Sequence, residues 1–298
     1  MLDRTSTRHY LPFISIDILG LYILEGKRAM SSLSGAWTRA ALEIVANVIN
    51  SQSEVIELAA KWCADSITNE GVVHLFGTGH SRMPLEEMYP RYGSYAGFNP
   101  MAELSMTFHT EVVGSNGQRQ AMFIERVEGF ADAILENWDF APQDVMIIFS
   151  VGGTTAVPIE MAIGARKRGI KVIAVTNVAS NRASAPTHSS GTNLCDNADL
   201  VLDLKTPVSD AICEIPGMET PVGPTSTMPA IAIVNEIKVQ TAEHLVKSGH
   251  IPAVLTSSSV VGIEESRRLF DASYAEHARR IAGRLTGAGH FQGGITKS

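Results

Sequence analysis

At 298 residues, the chain is long enough for one large α/β domain with additions, or for two small domains. Hydrophobic residues make up 45% of it and charged residues 18%, proportions typical of a globular protein and not of a disordered one. The net charge of −7 argues against a nucleic-acid-binding protein, which normally carries a basic surface. The three cysteines lie far apart with no CxxC pair, so we expect no disulfide framework, no metal site and a cytoplasmic location.

The N-terminal segment loosely resembles a signal peptide, because the apolar stretch over 10–24 follows basic residues. Pro12 and Asp17 interrupt this stretch, and about 20 uninterrupted apolar residues are needed to span a membrane. We therefore expect residues 1–30 to be a non-native or loose extension, and we expect no membrane partner. At the other end, the glycine-rich residues 286–298 are predicted to form a flexible tail.

Short apolar runs alternate with helical patterns along the rest of the chain. Strands are predicted at 72–76, 145–149, 171–175 and 200–204. Apolar residues at three- and four-residue spacing predict helices over 36–68, 84–92, 118–137, 159–168, 225–246 and 263–285. This alternation favours a doubly wound parallel sheet flanked by helices, in one α/β domain over 31–285 with helical additions at both ends.

Two of the predicted strands end in loops rich in glycine and hydroxyl groups, Gly-Thr-Gly-His-Ser at 77–81 and Ser-Val-Gly-Gly-Thr-Thr at 150–155. Ligands of open α/β sheets bind beyond the carboxyl ends of the strands. Glycine lets the backbone approach a ligand closely, hydroxyl groups donate to anionic oxygens, and helix N-termini favour negative charge. The sequence therefore predicts a phosphate site without a lysine, formed by Gly79, Ser81, Ser150, Gly152, Gly153, Thr154, Thr155 and Thr176.

Two alternatives to a phosphate site stay open for these loops. The first loop could begin a dinucleotide fingerprint, but Arg82 occupies the third glycine position of that motif. The glycines could also form the ordinary tight turns that connect strands to helices. Two loops of the same composition, with Thr176 at the end of a third strand, favour the phosphate site over both alternatives.

The residues around these loops resemble the SIS (sugar isomerase) domain family, most closely its uncharacterised phosphoheptose isomerase-like group. The likeness covers roughly residues 37–262, and the loop at 77–81 is its most specific element. It implies that a sugar phosphate is held by Ser81, Ser150, Thr154 and Thr155, in a site that commonly lies at a dimer interface. The second loop departs from the family pattern Ser-x-Ser-Gly, because Gly152 stands where the relatives have their second serine.

Glu86, Glu87 and His80 are the predicted catalytic residues. Aldose–ketose interconversion needs a base beside the carbonyl and an acid for the neighbouring oxygen. Glu86 or Glu87, in the first turns of the helix after the first loop, would be the base, and His80 would assist at an oxygen. The alternatives are helix electrostatics for the glutamates and a structural hydrogen bond for the histidine. Weaker candidates are His109, Glu111, Glu236 and His244.

The sequence favours an isomerase that interconverts the aldose and ketose forms of a phosphorylated sugar through an enediol, with neither a metal nor an organic cofactor. A non-catalytic SIS module that senses sugar phosphates, and a sugar-phosphate lyase or deaminase, are the alternatives. The first 70 residues contain no basic helix-turn-helix candidate, which disfavours a DNA-binding sensor. The expected partners are a small-molecule sugar phosphate and further copies of the chain, as a dimer or tetramer, with no nucleic acid.

Overall fold

One five-stranded parallel sheet organises the chain. The structure, a computed structural model, describes residues 33–108, 114 and 117–285. Residues 1–30 and 286–298, predicted to be a loose extension and a flexible tail, lie outside these ranges. The chain divides into two units, 1–36 and 37–298, and everything described below concerns the second unit apart from the first residue of its first helix.

The strands of the sheet are β1 (Val73–Gly77), β2 (Phe98–Met101), β3 (Val145–Phe149), β4 (Lys171–Thr176) and β5 (Leu200–Asp203). Their spatial order is β2-β1-β3-β4-β5, and every neighbouring pair is parallel. A separate antiparallel hairpin consists of β6 (Ala211–Cys213) and β7 (Val222–Pro224).

The helices that connect and cover the strands are α1 (Ala36–Thr68), α2 (Met83–Met88), α3 (Leu104–Thr107), α4 (Gln118–Ile124), α5 (Phe130–Leu135), α6 (Ala156–Lys167), α7 (Val178–Ala183), α8 (Thr227–Lys247), α9 (Ser258–Val261) and α10 (Ile263–Ala282). Within the described ranges, no helix combines the length and the apolar composition that crossing a membrane requires.

The sheet is buried on both faces. Successive side chains of a strand point to opposite faces, so each strand contributes to two hydrophobic clusters. In β3, Val145, Ile147 and Phe149 lie in a cluster covered by α1, α2 and α8. Met146 and Ile148 lie in the other cluster, which α5 and α6 cover. This arrangement confirms the predicted doubly wound α/β fold, because strands buried on both faces are typical of parallel sheets.

The predicted strands at 72–76, 145–149, 171–175 and 200–204 correspond to β1, β3, β4 and β5 within one residue at each end. The single helix predicted over 118–137 is wrong. The chain instead leaves the helix after Ile124 and starts another at Phe130, following Gly129 with a left-handed φ of 87°. β2 has no counterpart among the predicted strands, because Asn99 and Pro100 are residue types that strands disfavour.

Asp144 is the centre of a buried polar network that joins the sheet to the chain beyond α10. Its carboxylate accepts hydrogen bonds from the backbone N–H groups of Val72 and Ala141, each at 2.8 Å. It also accepts from the Nε and Nη2 atoms of Arg284, at 2.7 and 3.0 Å. His74 lies 3.3 Å away through Nε2 and completes the set of donors. The network therefore satisfies a fully buried carboxylate with five hydrogen bonds.

Helix α1 bends at Gln52, whose φ and ψ of −135° and 18° are not helical. The side-chain amide of Gln52 donates from Nε2 to the carbonyl oxygen of Asp203 at 2.8 Å. Its Oε1 accepts the N–H of the same residue at 2.7 Å. The bend therefore fastens α1 to the last residue of β5.

Candidate functional site

A cleft opens at the carboxyl ends of β1 and β3. After β1 the chain crosses over to β2 on one side, and after β3 it continues to β4 on the other, so the strand order reverses between β1 and β3. Such a reversal is where ligands bind in open α/β sheets. The cleft has a volume of about 350 Å³.

The structure brings six of the predicted phosphate-binding residues together on this cleft, namely Ser81, Ser150, Gly152, Gly153, Thr154 and Thr155. The predicted catalytic residue His80 also lines it. Other polar residues on the wall are Thr78, Glu125, Asp210, Ser226 and Thr227. Among the described residues of the lining there is no lysine or arginine, so an anion bound here would contact hydroxyl groups, backbone N–H groups and the side chain of His80.

The first loop turns sharply after β1 because Gly77 has no side chain. A Cβ at Gly77 would lie 2.3 Å from the backbone oxygen of Ser81, so only glycine allows the loop to fold back this closely. A 3₁₀ turn over Gly79–Arg82 follows, and α2 continues from it with Pro84 near its start. Gly79 has a left-handed φ of 54° and shapes this turn without lining the cleft.

Buried polar side chains hold the backbone of the second loop in place through hydrogen bonds. Asn181 donates from Nδ2 to the carbonyl oxygens of Gly152 and Gly153, at 3.1 and 2.9 Å. Thr176 is buried and donates to the carbonyl oxygen of Val151 at 3.1 Å, so its hydroxyl supports the loop and does not line the cleft. Gly153 has a φ of 62°, and a Cβ there would meet Asn181 Nδ2 at 2.4 Å. The loop conformation therefore requires glycine at this position.

Glu125 places a carboxylate on the cleft. It is the residue after α4, and its side chain is 19% exposed. Thr78 of the first loop donates from Oγ1 to Glu125 Oε2 at 2.9 Å. Burial raises the pKa of Glu125, although the hydrogen bond from Thr78 and the charge of Arg126 act in the opposite direction. A half-buried carboxylate with a raised pKa in a cleft is typical of a group that accepts and returns a proton.

The second carboxylate on the cleft is that of Asp210, the residue before β6. It forms hydrogen bonds with the residues at the start of α8. It accepts the backbone N–H of Ser226 at 2.7 Å and the hydroxyl of the same residue at 2.9 Å. It also accepts the N–H of Thr225 at 3.1 Å. Asp210 therefore occupies the positive end of the α8 dipole and orients the hydroxyl-bearing residues that begin this helix.

Glu86 and Glu87 do not line the cleft. Glu86 is exposed and lies 3.5 Å from Arg82 in an ion pair. Glu87 pairs with Arg91, and it accepts a hydrogen bond from Asn235 of α8 at 3.0 Å. Neither side chain is among the described residues of the cleft lining. Their catalytic use stays a prediction.

Of the four weaker candidates, the structure describes two, and neither of these lines the cleft. His109 and Glu111 lie outside the described residues. Glu236 accepts a hydrogen bond from Gln240 on the same helix at 3.2 Å, and His244 is a half-buried residue of the last turns of α8. Glu125 and Asp210 were not predicted from the sequence. The phosphate loops could be predicted because they directly follow predicted strands, and neither of these two residues does.

Comparison with known proteins places the chain in a family. A family model described as SIS domain matches residues 36–177. A UPF0309 protein of Streptomyces griseus is 33% identical over 235 residues, which cover 79% of this chain and 92% of that protein.

Two solved structures resemble the chain at low sequence identity. A phosphoheptose isomerase from Francisella tularensis covers 72% of this chain and 100% of its own, at 17% identity and a TM-score of 0.46. The Vibrio vulnificus NanR protein complexed with ManNAc-6P covers 85% of this chain and 70% of its own, at 13% identity and a TM-score of 0.40. From the match to the Streptomyces griseus protein and from the family model, the chain belongs to the UPF0309 family and carries an SIS domain over residues 36–177.

Proposed function

We propose that the chain binds a phosphorylated sugar in the cleft and interconverts its aldose and ketose forms through an enediol. The observation that carries this proposal is that loops rich in glycine and hydroxyl groups share one cleft with a half-buried carboxylate. Ser81, Ser150, Thr154 and Glu125 all line this cleft. The SIS domain supports a phosphorylated sugar as the ligand. The hydroxyl groups would hold the phosphate, and the carboxylate would move the proton.

The phosphate is assigned to the second loop and the start of α6. This helix has 12 residues, and its cap residue Thr155 makes no side-chain hydrogen bond to the first turn. The N–H of Val157 donates to the carbonyl oxygen of Glu125 at 3.0 Å and Pro158 has no N–H, so α6 would contribute the positive end of its dipole and not a set of free N–H groups. Ser150, at the end of β3, and Ser81, from the loop after β1, add hydroxyl donors, so a phosphate can be surrounded by neutral groups without a lysine.

Glu125 is assigned as the base and His80 as the group that assists at oxygen. Glu125 would take the proton from the carbon next to the carbonyl, which forms the enediol, and would return it to the neighbouring carbon. His80, exposed on the same cleft, would move the proton between the two oxygens. Glu125 is preferred to Glu86 and Glu87 because it lines the cleft and they pair with arginines elsewhere.

We place this activity in a homo-oligomer in the cytoplasm. The resemblance to SIS proteins favours a dimer or tetramer, and α8 carries exposed apolar side chains at Val239 and Val246, seven residues apart on one helix face. The free thiols of Cys63, Cys195 and Cys213 fit a reducing compartment.

Ligand screening tests the binding and the chemistry separately. At a concentration of 100 times the Kd, a sugar phosphate is expected to stabilise the fold by about 2.7 kcal/mol, which a thermal-shift assay detects. NMR of the same mixture in heavy water should show deuterium on the carbon next to the carbonyl. Stabilisation without exchange or conversion would contradict the isomerase and leave a sensing module. An equal effect of the unphosphorylated sugar would contradict the phosphate site.

Replacing Ser81 with Ala is expected to weaken sugar-phosphate binding about 10- to 150-fold. A hydrogen bond to a charged group contributes ~1.5–3 kcal/mol, and the alanine removes this donor without changing the backbone. The Kd is measured by isothermal titration calorimetry, with the exposed Ser259 changed to Ala as the matched control. An unchanged Kd in Ser81→Ala would remove this residue from the phosphate site.

A further inference from the structure

Three potential metal ligands meet at a second place on the chain. Glu128 lies between α4 and α5, Glu160 lies in α6, and His188 lies between α7 and β5. Their ligand atoms are all within 4.8 Å of one another. His188 Nε2 is 3.2 Å from Glu160 Oε1 and 3.9 Å from Glu128 Oε2. The fold alone creates this cluster, since the three residues are far apart in sequence.

Two of the three spacings in the cluster are close to those between the ligands of a small tetrahedral cation, and the third is at most 4.8 Å. Zinc binds histidine nitrogen and carboxylate oxygen at about 2.0–2.2 Å, so two ligands of a tetrahedron lie about 3.3–3.6 Å apart. Both measured separations from His188 Nε2 come within a few tenths of an ångström of this range. Three protein ligands would leave a fourth position for water.

The groups that orient the cluster come from outside it. The N–H of Gly129 donates to both oxygens of Glu160, at 2.8 and 2.9 Å. The N–H of Ser189 donates to Glu128 Oε1 at 2.8 Å and leaves Oε2 facing the histidine. His188 Nδ1 lies 2.8 Å from the hydroxyl of Ser190 and accepts the backbone N–H of the same residue at 3.1 Å. Zinc on Nε2 requires the proton on Nδ1, where the Ser190 hydroxyl would accept it. Such outer hydrogen bonds fix the direction of metal ligands in proteins.

The charges of the cluster also favour a divalent cation. The side chains of His188 and Glu160 are only 6% and 13% exposed. Among the ion pairs of the described residues, Glu128 and Glu160 pair with His188 and with no lysine or arginine. Two carboxylates beside one imidazole are therefore short of positive charge, and burial makes uncompensated charge costly. A divalent cation balances both carboxylates and leaves the imidazole as a neutral ligand.

We propose that Glu128, Glu160 and His188 bind one zinc ion. Imidazole is a ligand that zinc prefers, whereas magnesium and calcium prefer oxygen alone. The ion would fasten the segment around His188 to α6. That segment touches the phosphate loop, because Thr187 donates from Oγ1 to the carbonyl oxygen of Thr154 at 3.4 Å. The zinc site is therefore separate from the cleft but supports one of its walls.

Calorimetric titration of the metal-free full chain with zinc chloride tests this site. We expect one ion per chain and a higher Tm with zinc. Loss of an outer hydrogen-bond partner weakens metal sites by about 10- to 100-fold, so Glu128→Gln and His188→Gln, which remove direct ligands, should weaken zinc binding by about 100-fold or more. Glu128 is exposed, and Gln keeps its shape, so this variant should fold like the parent.

The matched control is His250→Gln. His250 lies 3.6 Å from Glu276 in a histidine–carboxylate pair, and among the described residues no third ligand joins that pair. Its zinc affinity should equal that of the parent chain. Failure of the parent to bind zinc would overturn the proposal, and so would an unchanged affinity in Glu128→Gln and His188→Gln.

Discussion

Replacing Glu125 with Gln is expected to lower kcat for aldose–ketose interconversion by about 10²- to 10⁴-fold, the usual contribution of general acid–base catalysis. Glutamine keeps the size of the side chain and can still accept the hydrogen bond from Thr78. The Kd for the sugar phosphate should therefore change little. Deuterium exchange and kcat are measured on the same preparation, with the Kd taken from calorimetry.

Glu86→Gln and Glu87→Gln are the matched comparisons, since the side chains of both residues lie outside the cleft. We expect each variant to keep most of its activity. If deuterium exchange survived in Glu125→Gln but disappeared in Glu86→Gln or Glu87→Gln, the glutamate whose replacement abolished the exchange would be the base. This outcome would also mean that the site is completed by a second copy of the chain.

The pH profile of kcat/KM provides a further readout of the same residue. Burial raises the pKa of Glu125 above its ordinary value of 4.5. Only the ionised carboxylate can act as a base, so activity should rise with pH through this raised pKa and not through 4.5. Glu125→Gln should lose this acid limb in its residual activity.

Replacing Asp144 with Ala is expected to reduce the free energy of unfolding by about 3–5 kcal/mol, because it breaks a buried ion pair and leaves its partners unsatisfied. His74 and Arg284 would lose their shared acceptor, as would two backbone N–H groups. Urea denaturation measures the loss. The exposed Asp271, changed to Ala, is the control and should alter stability by less than about 0.5 kcal/mol.

The contribution of Asp144 should also depend on pH. Burial pushes the pKa of Asp144 upward, but the hydrogen bonds from His74, Arg284 and Ala141 outweigh burial and hold the pKa below its usual value. A carboxyl with a lowered folded-state pKa stabilises the fold above its unfolded pKa of about 3.9, and this stabilisation disappears as the pH falls through the folded-state pKa. The difference between parent and Asp144→Ala should therefore shrink in acid. A constant difference would contradict the ionised network.

Strand ends explain how much of the site could be predicted from the sequence. Buried strands such as β3 are continuous apolar runs, and the glycine and hydroxyl residues after them are visible without a structure. Parallel strands bring their carboxyl ends to one edge, so Ser81 and Ser150 could be expected to meet. The structure brings both onto one cleft.

Residues that reach the cleft from other elements could not be predicted in this way. Glu125 depends on where α4 ends, and the break at Gly129 is hidden by apolar residues that continue at helical spacing through 118–137. Asp210 depends on a hairpin of three-residue strands, which are too short to show alternation. Thr176 was predicted correctly at a strand end, but its hydroxyl is directed to the backbone of Val151.

The bend of α1 at Gln52 affects whether another chain can pair with the edge of the sheet. β5 is an edge strand, and exposed strand edges offer N–H and C=O groups to other chains. At Asp203, the amide of Gln52 occupies both groups in the way a neighbouring strand would. The Gln52 side chain thus takes the place of a sixth strand at this end of β5. Another copy of the chain therefore cannot pair with the edge of the sheet there.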